Sequence, residues 1–574
     1  MKLKKHTKKS KSLTKLPTKI AKPAQLLSQG INKRASAVIL HITSLPGPFG
    51  IGVLGEEAAA FATMLSKSKT AYWQILPLYL PIDNSPYNSL STFAANTHLI
   101  DPRGLIDMNL LEEDEIPSFY YEGEEHSVDY AFVKSNSEKY LRLAYSRLQD
   151  EQRRALDDFV AEKKWISDYA AFRVLHEAYK KAWWEWPLHD RMYSQERVNA
   201  IRSESAEDYE YYCFGQWIFH LQWQALMDIC HDLGVGILGD IPYYVAADSA
   251  DTWSNADNFQ LNDDMSPKWI AGVPPDYFAV DGQLWGNTVY DWQYLAKNNF
   301  DWWLERLGAA FELYDALRLD HFRAFDSYWR IDAEAKTARN GAWKAGPGMK
   351  FFKALRKRFG ALPIIAEDLG DLTDDVRQLV IDSEFPGMKV LQFAFDTRTD
   401  NMDQPHHYEK NLCVYTGTHD NDTLLGWIWS CSEKERQYVL NYLGLPEDFN
   451  WGKGGTDSPF CQAMIRLAWS SVARLAACPF QDLMGYGTDT RMNIPGIEEG
   501  QWMYRASSES FELFPIDSLR TINQLFGRAR PFNYLEDTVL DESEQINIEF
   551  TGGMNPEVES PADVDSNSKI LTES

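Results

Sequence analysis

Four ionisable side chains are crowded into one short stretch, ALRLDHFRAF (316–325). Arg318, Asp320, His321 and Arg323 follow a run that begins like a buried strand. Because side chains alternate along a strand, Arg318 and Asp320 fall on one face, and the guanidinium is expected to keep the carboxyl ionised by lowering its pKa. An ionised carboxylate is what a carboxylate nucleophile requires. A buried structural ion pair explains this segment, taken alone, equally well.

A second charged segment, LPIIAEDLG (362–370), favours catalysis over a structural pair. It places Glu367 and Asp368 after an apolar run, one pointing inward and the other away. A Glu set opposite an ionised Asp in a partly desolvated cleft has its pKa raised by like charge and burial, so it can donate a proton. One ionised and one protonated carboxyl form the pair that glycoside chemistry uses.

Two further apolar runs end in acids. GDIP contains Asp240, and TGTHDN contains His419 and Asp420. Each alone is explained by a satisfied loop carboxylate, but four acids at four strand ends are harder to dismiss. Metal ligation by these acids is disfavoured, because no His-x-x-x-His pair or calcium-type loop lies nearby, and no cofactor is expected.

These side chains must be positioned by the apolar runs that precede them. The runs are apolar throughout and do not alternate, which indicates strands covered on both faces, with helical patterns such as FFKALRKRFG and DDVRQLVIDSEF between them. Polar residues at the carboxyl ends of such strands predict a (β/α)₈ TIM barrel. An open doubly wound sheet is disfavoured, since no Gly-rich phosphate turn follows the first strands. The seven runs are 36–44, 72–78, 234–242, 316–322, 362–370, 387–395 and 413–421.

Two intervals are too long for simple connections within a catalytic barrel predicted over residues 35–530. Residues 103–230 are charged and aromatic, and predict a helical insertion. Residues 243–300 are dense in Gly, Pro and aromatic residues, and predict lid-like loops over the site, or a packed surface loop.

Composition excludes several classes of protein. The 574 residues have a net charge of −26, which disfavours nucleic acid as a partner. No run is long enough to span a membrane or to serve as a secretory signal. The basic start (1–34) and the acidic end (531–574) predict disordered tails, although the leader could also direct another export route. Six cysteines without Cys-x-x-Cys spacing indicate a reducing, cytoplasmic location.

Across residues 35–510 the chain resembles the amylomaltase (4-α-glucanotransferase, or disproportionating enzyme) family of the wider α-amylase group. The resemblance is carried by many segments in the family's order rather than by one motif. These segments are LHITSLPGPFGIGVLG, WQILPL, NSPYNSLSTFAAN, GDIPYYVAADSADTW, GVPPDYF, GQLWGN, RLDHFRAF, AEDLG, PGMKVLQFAF, YTGTHDNDT and RMNIPG.

The resemblance implies roles for individual residues. Asp320 matches the nucleophile, Glu367 the general acid/base, and Asp420 the acid that holds sugar hydroxyls. Further matches are the ligands around the reacting glucose, Arg318, His419 and Asp240, the stacking aromatic Tyr87, and Trp285 in a loop that covers the bound chain.

The predicted function is therefore transfer of a segment of α-1,4-glucan to the 4-hydroxyl of another glucan or glucose. The expected substrates are maltooligosaccharides, glycogen or starch-type glucans, with glucose as an acceptor. A retaining double displacement predicts that the carboxyl groups of Asp320 and Glu367 are about 5 to 5.5 Å apart. A hydrolase of the same barrel class, amylase-like or debranching, uses the same acids and remains an alternative, as does a catalytically silent glucan-binding protein.

Overall fold

A computed structural model describes residues 33–275, 280–370, 372–398, 400–446, 448–497, 499–529 and 531. All of them belong to one compact unit, residues 1–533. The two predicted tails therefore fall almost entirely outside the described residues.

Eight parallel strands form the (β/α)₈ barrel that the sequence predicts. Neighbouring strands follow the order β10-β11-β12-β1-β2-β3-β6-β9. The Ala366 amide, at the end of β9, donates to the Pro386 carbonyl just before β10 at 2.9 Å, which brings the two edges of the sheet together. The barrel strands are β1 (Ala35–Ile39), β2 (Tyr72–Gln74), β3 (Gly236–Ile241), β6 (Ala316–Leu319), β9 (Ile364–Ala366), β10 (Gly387–Val390), β11 (Leu412–Tyr415) and β12 (Leu475–Pro479).

Both faces of these strands are buried, which explains why their sequences are largely apolar. In β1, Ala37 and Ile39 belong to an apolar cluster that fills the barrel, together with residues such as Leu238 of β3. Val38, between them, belongs to the larger cluster that the strands form with the surrounding helices. A strand buried on two faces reads as a nearly continuous apolar run. In this barrel the run is interrupted by Asp240 in β3 and Arg318 in β6.

One barrel strand, β12, was absent from the seven predicted runs. Its sequence, LAACP, is short and mostly alanine, so it lacks the β-branched and aromatic residues that mark the other strands. Its position in the barrel is set by backbone pairing, because β12 forms a continuous parallel ladder with β1 on one side and with β11 on the other.

A second sheet is antiparallel and was not predicted. It has the order β5-β4-β7-β8, and its strands are β4 (Trp269–Val273), β5 (Gln283–Thr288), β7 (Ser327–Asp332) and β8 (Ala342–Ala345). The interval that the sequence assigned to lid-like loops thus contributes two strands, and the segment after β6 contributes the other two. Residues 276–279, between β4 and β5, lie outside the described residues.

The remaining elements are helices. Six of them, α2 to α7, lie between residues 103 and 232, and the predicted helices in 351–360 and 374–385 are present as α11 and α12. In the described part of the chain, no helix is both long and apolar enough to cross a bilayer. The helices are α1 (Glu56–Lys67), α2 (Tyr130–Ser146), α3 (Asp150–Glu162), α4 (Lys164–Tyr179), α5 (Leu188–Arg191), α6 (Gln195–Glu204), α7 (Ala206–Asp232), α8 (Ala250–Ser254), α9 (Trp292–Lys297), α10 (Asp301–Leu313), α11 (Met349–Phe359), α12 (Asp374–Ser383), α13 (Leu424–Ser430), α14 (Glu433–Tyr442), α15 (Pro459–Ser470), α16 (Phe480–Met484), α17 (Ser508–Glu512) and α18 (Ile516–Leu525).

Candidate active site

The candidate acids meet at the carboxyl end of the barrel. Asp240 is the fifth residue of β3, Asp320 follows β6 directly, and Glu367 follows β9 directly, while Asp420 lies in the loop after β11. A backbone hydrogen bond joins the carboxyl ends of β3 and β6, in which the Asp320 amide donates to the Ile241 carbonyl at 3.1 Å. Strands far apart in the sequence thereby place their carboxylates around one cleft.

Arg318 lies at the centre of this arrangement and bonds to two carboxylates. Its Nη1 is 2.7 Å from Asp240 Oδ2, and its Nη2 is 2.9 Å from Asp320 Oδ1. The Tyr87 hydroxyl donates to the same Asp240 oxygen at 2.8 Å. Asp240 is fully buried whereas Asp320 keeps part of its side chain exposed. Asp240 therefore orients Arg318 and Tyr87 from the buried side of the site, whereas Asp320 faces the cleft.

The electrostatics of Asp320 differ from the sequence expectation. Burial raises the pKa of Asp320, Arg318 opposes this, and the nearby acids Glu367, Asp240 and Asp420 raise it further, to about 7. One guanidinium, already shared with Asp240, does not outweigh burial and three carboxylates. The expected lowering of this pKa is thus wrong as a net direction, although Arg318 acts in the direction predicted.

Glu367 is held by two backbone amides. Its Oε2 accepts from the His321 amide at 2.8 Å, and its Oε1 accepts from the Leu369 amide at 3.0 Å. His321 has a left-handed backbone conformation, with φ of 48°, and this turn aims its amide at the carboxylate of the neighbouring strand. Such a strained conformation in a non-glycine residue is typical of functional sites. Glu367 consequently has a fixed orientation beside Asp320.

Asp420 is stabilised as an anion by two neighbouring side chains. Its Oδ2 is 3.2 Å from His419 Nε2, and its Oδ1 accepts from the Asn493 amide group at 2.6 Å. Burial raises the pKa of Asp420, but His419, Asn493 and Arg318 outweigh it and bring this pKa to about 2. Asp420 is therefore ionised across the working pH range and can accept hydrogen bonds from hydroxyl groups.

Aromatic rings line the cleft beside these acids. Tyr87 stacks on His419, with ring centroids 5.1 Å apart and planes at 19°, and Trp502 tilts against both rings. On the antiparallel sheet, the ring of Trp285 in β5 packs edge-on against His321 at 4.8 Å, and 37% of this side chain is exposed. Trp285 thus lies next to the turn that holds Asp320 and Glu367.

Three residues that hold Asp420 and its loop in place were missed from the sequence. Asn493 bonds to the Asp420 carboxylate, and Arg491 donates to the Asp420 carbonyl at 2.6 Å. Both lie in RMNIPG, a segment that carried the resemblance without any assigned role. Asp482, after the unpredicted strand β12, accepts from the Thr416 hydroxyl at 2.6 Å and the Leu424 amide at 2.8 Å. It therefore holds both ends of the loop that carries His419 and Asp420.

The described ranges contain no metal site, that is, no group of three or more His, Cys, Asp or Glu side chains that could hold a metal ion. The arrangement of carboxylates and aromatic rings on a (β/α)₈ barrel instead defines an enzyme that acts on glycosidic bonds, because it combines buried acids with rings suited to sugar faces.

Comparisons with known proteins identify the family within that class. A protein-family model described as 4-alpha-glucanotransferase matches residues 40–510. The 4-alpha-glucanotransferase of Clostridium butyricum is 39% identical over 497 residues, which is 85% of this chain and 100% of the relative. That of Thermus thermophilus is 40% identical over 480 residues, or 82% of this chain and 94% of the relative.

Solved structures agree with these relatives. The amylomaltase of Streptococcus agalactiae, solved in complex with acarbose, is 36% identical with a TM-score of 0.82, covering 86% of this chain and 100% of that one. The chain belongs to the 4-alpha-glucanotransferase family. It is an enzyme that transfers α-glucan units by transglycosylation, as the sequence predicted, and the hydrolase and silent-binding alternatives are not favoured.

Proposed function

We propose that this enzyme transfers a segment of an α-1,4-glucan through a covalent intermediate on Asp320. The observation that carries the proposal is the geometry at adjacent strand ends, where Asp320 is paired with Arg318 and Glu367 is held beside it by two amides. In the first step, Asp320 attacks the anomeric carbon while Glu367 protonates the glycosidic oxygen, and the leaving glucan departs with a 4-hydroxyl.

In the second step, Glu367 takes a proton from the 4-hydroxyl of an acceptor glucan or glucose, and this oxygen displaces Asp320 from the anomeric carbon. Two inversions retain the α configuration. The ionised Asp420 and its partner His419 accept and donate hydrogen bonds at the sugar hydroxyls, which favours the distorted ring of the transition state. Tyr87 offers its second face to the glucose, and Asp240 acts as a positioning residue beneath it.

Maltooligosaccharides, glycogen and starch-type glucans are the proposed substrates, and the cytoplasm is the proposed location. All six cysteines are free thiols, and five of them are buried, which suits a reducing compartment.

The decisive test uses maltotriose as both donor and acceptor. We expect glucose and a series of longer maltooligosaccharides, with the total number of reducing ends constant, because transfer conserves chain ends. Chromatography of the products and a parallel reducing-end assay measure both quantities. A steady rise in reducing ends without longer products would instead identify a hydrolase, and an unchanged mixture would contradict catalysis on this substrate.

Transfer requires that water be kept from the intermediate until the acceptor arrives. We propose that the segment from Gly272 to Asn287 provides this shield, since its residue Trp285 packs against His321 beside the two acids. Residues 276–279 of the segment lie outside the described part of the chain.

Replacing Trp285 by Ala is expected to raise the ratio of hydrolysis to transfer by on the order of fivefold, because the smaller side chain admits water to the intermediate. The ratio is measured as new reducing ends against transferred glucose during the maltotriose reaction. Trp184→Ala, which alters a partly exposed indole in the helical insertion, is the matched control. An unchanged ratio in the Trp285 variant would remove this segment from the mechanism.

A further inference from the structure

A large groove lies on the flank of the barrel, between the helical insertion and helix α10. It has a volume of about 1380 Å³, and its walls come mainly from α3, α4 and α10. Pockets for single small ligands are about 300 to 1,000 Å³, so this groove has room for a longer molecule. None of the residues proposed above for the reaction lines it.

One wall of the groove is aromatic. Phe93 and Trp165 stack with centroids 6.2 Å apart, and Trp302 of α10 meets Phe93 edge-on at 6.1 Å. Trp165 also contacts the rings of Tyr169 and His220. Phe93 and Trp165 are both partly exposed, so part of their ring surface borders the groove. Flat aromatic surfaces of this kind bind the apolar faces of sugar rings.

A carboxylate with spare hydrogen-bonding capacity lies beside that wall. Asp168 is three residues after Trp165 on α4, so both side chains lie on the same face of the helix. The Tyr193 hydroxyl donates to Asp168 Oδ1 at 2.9 Å, and Oδ2 has no partner among the described residues. Burial raises the pKa of Asp168 to about 6, which Tyr193 alone does not offset. The site therefore pairs a stacking surface with an acceptor for hydroxyl groups.

The charges around the groove favour a neutral ligand. Six acidic and four basic side chains line it, so a polyanion would meet net repulsion. A neutral polyol is bound by aromatic faces together with charged hydrogen-bonding groups at its rim. The family to which the chain belongs acts on such a molecule, an α-glucan.

Part of the groove's lining comes from the face of the barrel that holds the catalytic acids. Ser91 and Phe93 line the groove and belong to the loop after β2 that also carries Tyr87. Loops that follow barrel strands lie at the face that holds the active site.

We infer that this groove binds a second segment of α-glucan, stacked on Trp165 and hydrogen-bonded to Asp168, while another segment occupies the active site. A chain held at both places gains affinity through effective concentration. We expect a trisaccharide bound in the active site to leave no sugar unit for the groove. The groove therefore increases affinity for long or branched glucans and leaves short oligosaccharides unaffected.

The test compares two full-length variants, Trp165→Ala and Asp168→Asn, with the parent enzyme on amylose and on maltotriose. We expect the KM for amylose, by mass, to rise about tenfold in each variant, with kcat/KM for maltotriose within about twofold of the parent. Tyr294→Ala on α9, an exposed aromatic residue outside the groove, is the control and should leave both values unchanged.

An unchanged amylose KM in both variants would overturn the inference. Should Trp165→Ala also lower the melting temperature, the nearly isosteric Asp168→Asn variant decides. A direct measurement uses Glu367→Gln to slow turnover and counts bound maltoheptaose by calorimetry. We expect two per chain, and one when Trp165→Ala is added; one in both proteins would also overturn the inference. A failure of glucan transfer itself would be seen separately, as inactivity of the parent enzyme on maltotriose.

Discussion

The Asp320→Asn variant is expected to lose transfer activity by on the order of 10⁴-fold or more, because an amide cannot form the covalent bond to the anomeric carbon. The substitution is nearly isosteric, and the contact with Arg318 Nη2 can be kept through the amide oxygen. Binding of maltooligosaccharides should therefore survive while the chemical step is lost. Initial rates on maltotriose, followed by chromatography, measure the loss, and calorimetry measures the binding.

Two controls make this result specific to the nucleophile. Asp315→Asn changes a carboxylate at the other end of the same strand, where it accepts from the Ile237 amide and from His231. This variant should keep its activity within about twofold at temperatures well below its melting point. Asp320→Ala guards against slow deamidation of the Asn variant back to Asp. Retention of more than a tenth of the parent rate by Asp320→Ala would exclude Asp320 as nucleophile.

The Glu367→Gln variant is expected to lose about 10³-fold in rate on maltotriose, because neither the leaving oxygen nor the acceptor hydroxyl then exchanges a proton with the enzyme. A donor whose leaving group needs no proton separates the two steps. With α-maltosyl fluoride the first step proceeds without an acid, whereas the second step still lacks a base. The glycosyl-enzyme should consequently accumulate.

Mass spectrometry of the intact protein measures this accumulation as a mass increase of one maltosyl group, and peptide mapping should locate the group on Asp320. Glu384→Gln, which alters an exposed carboxylate paired with Arg356, is the matched control and should accumulate nothing. If the fluoride restored no reaction in the Glu367 variant, or if the label mapped elsewhere, the division of roles between the two acids would be contradicted.

The raised pKa of Asp320 bears on the first of these predictions. Burial and three neighbouring carboxylates bring this pKa to about 7 despite Arg318. Asp320 attacks as a carboxylate, so the proposed reaction requires loss of the proton that burial and these charges favour on it. Asp420, whose pKa is about 2, contributes a permanent negative charge to the same cleft.

Much of this molecule was predictable from local patterns. Apolar runs followed by polar residues predicted a barrel with its acids at one mouth, because strand alternation and burial act over a few neighbouring residues. The pattern failed for β12, which is mostly alanine and lacks the β-branched and aromatic residues typical of strands. It also failed for the antiparallel sheet, whose strands β5 and β8 are largely exposed and carry no continuous apolar run.

The sequence by itself determined which acids are present, their order along the chain and their positions at strand ends. Tertiary structure alone decided the partners that are distant in the sequence. Tyr87 reaches Asp240 across 153 residues and Asn493 reaches Asp420 across 73, and no local rule relates such positions. It also decided the direction in which the pKa of Asp320 moves. That direction is a sum over burial and every nearby charge, and the packed barrel brings all of these within reach of one carboxyl group.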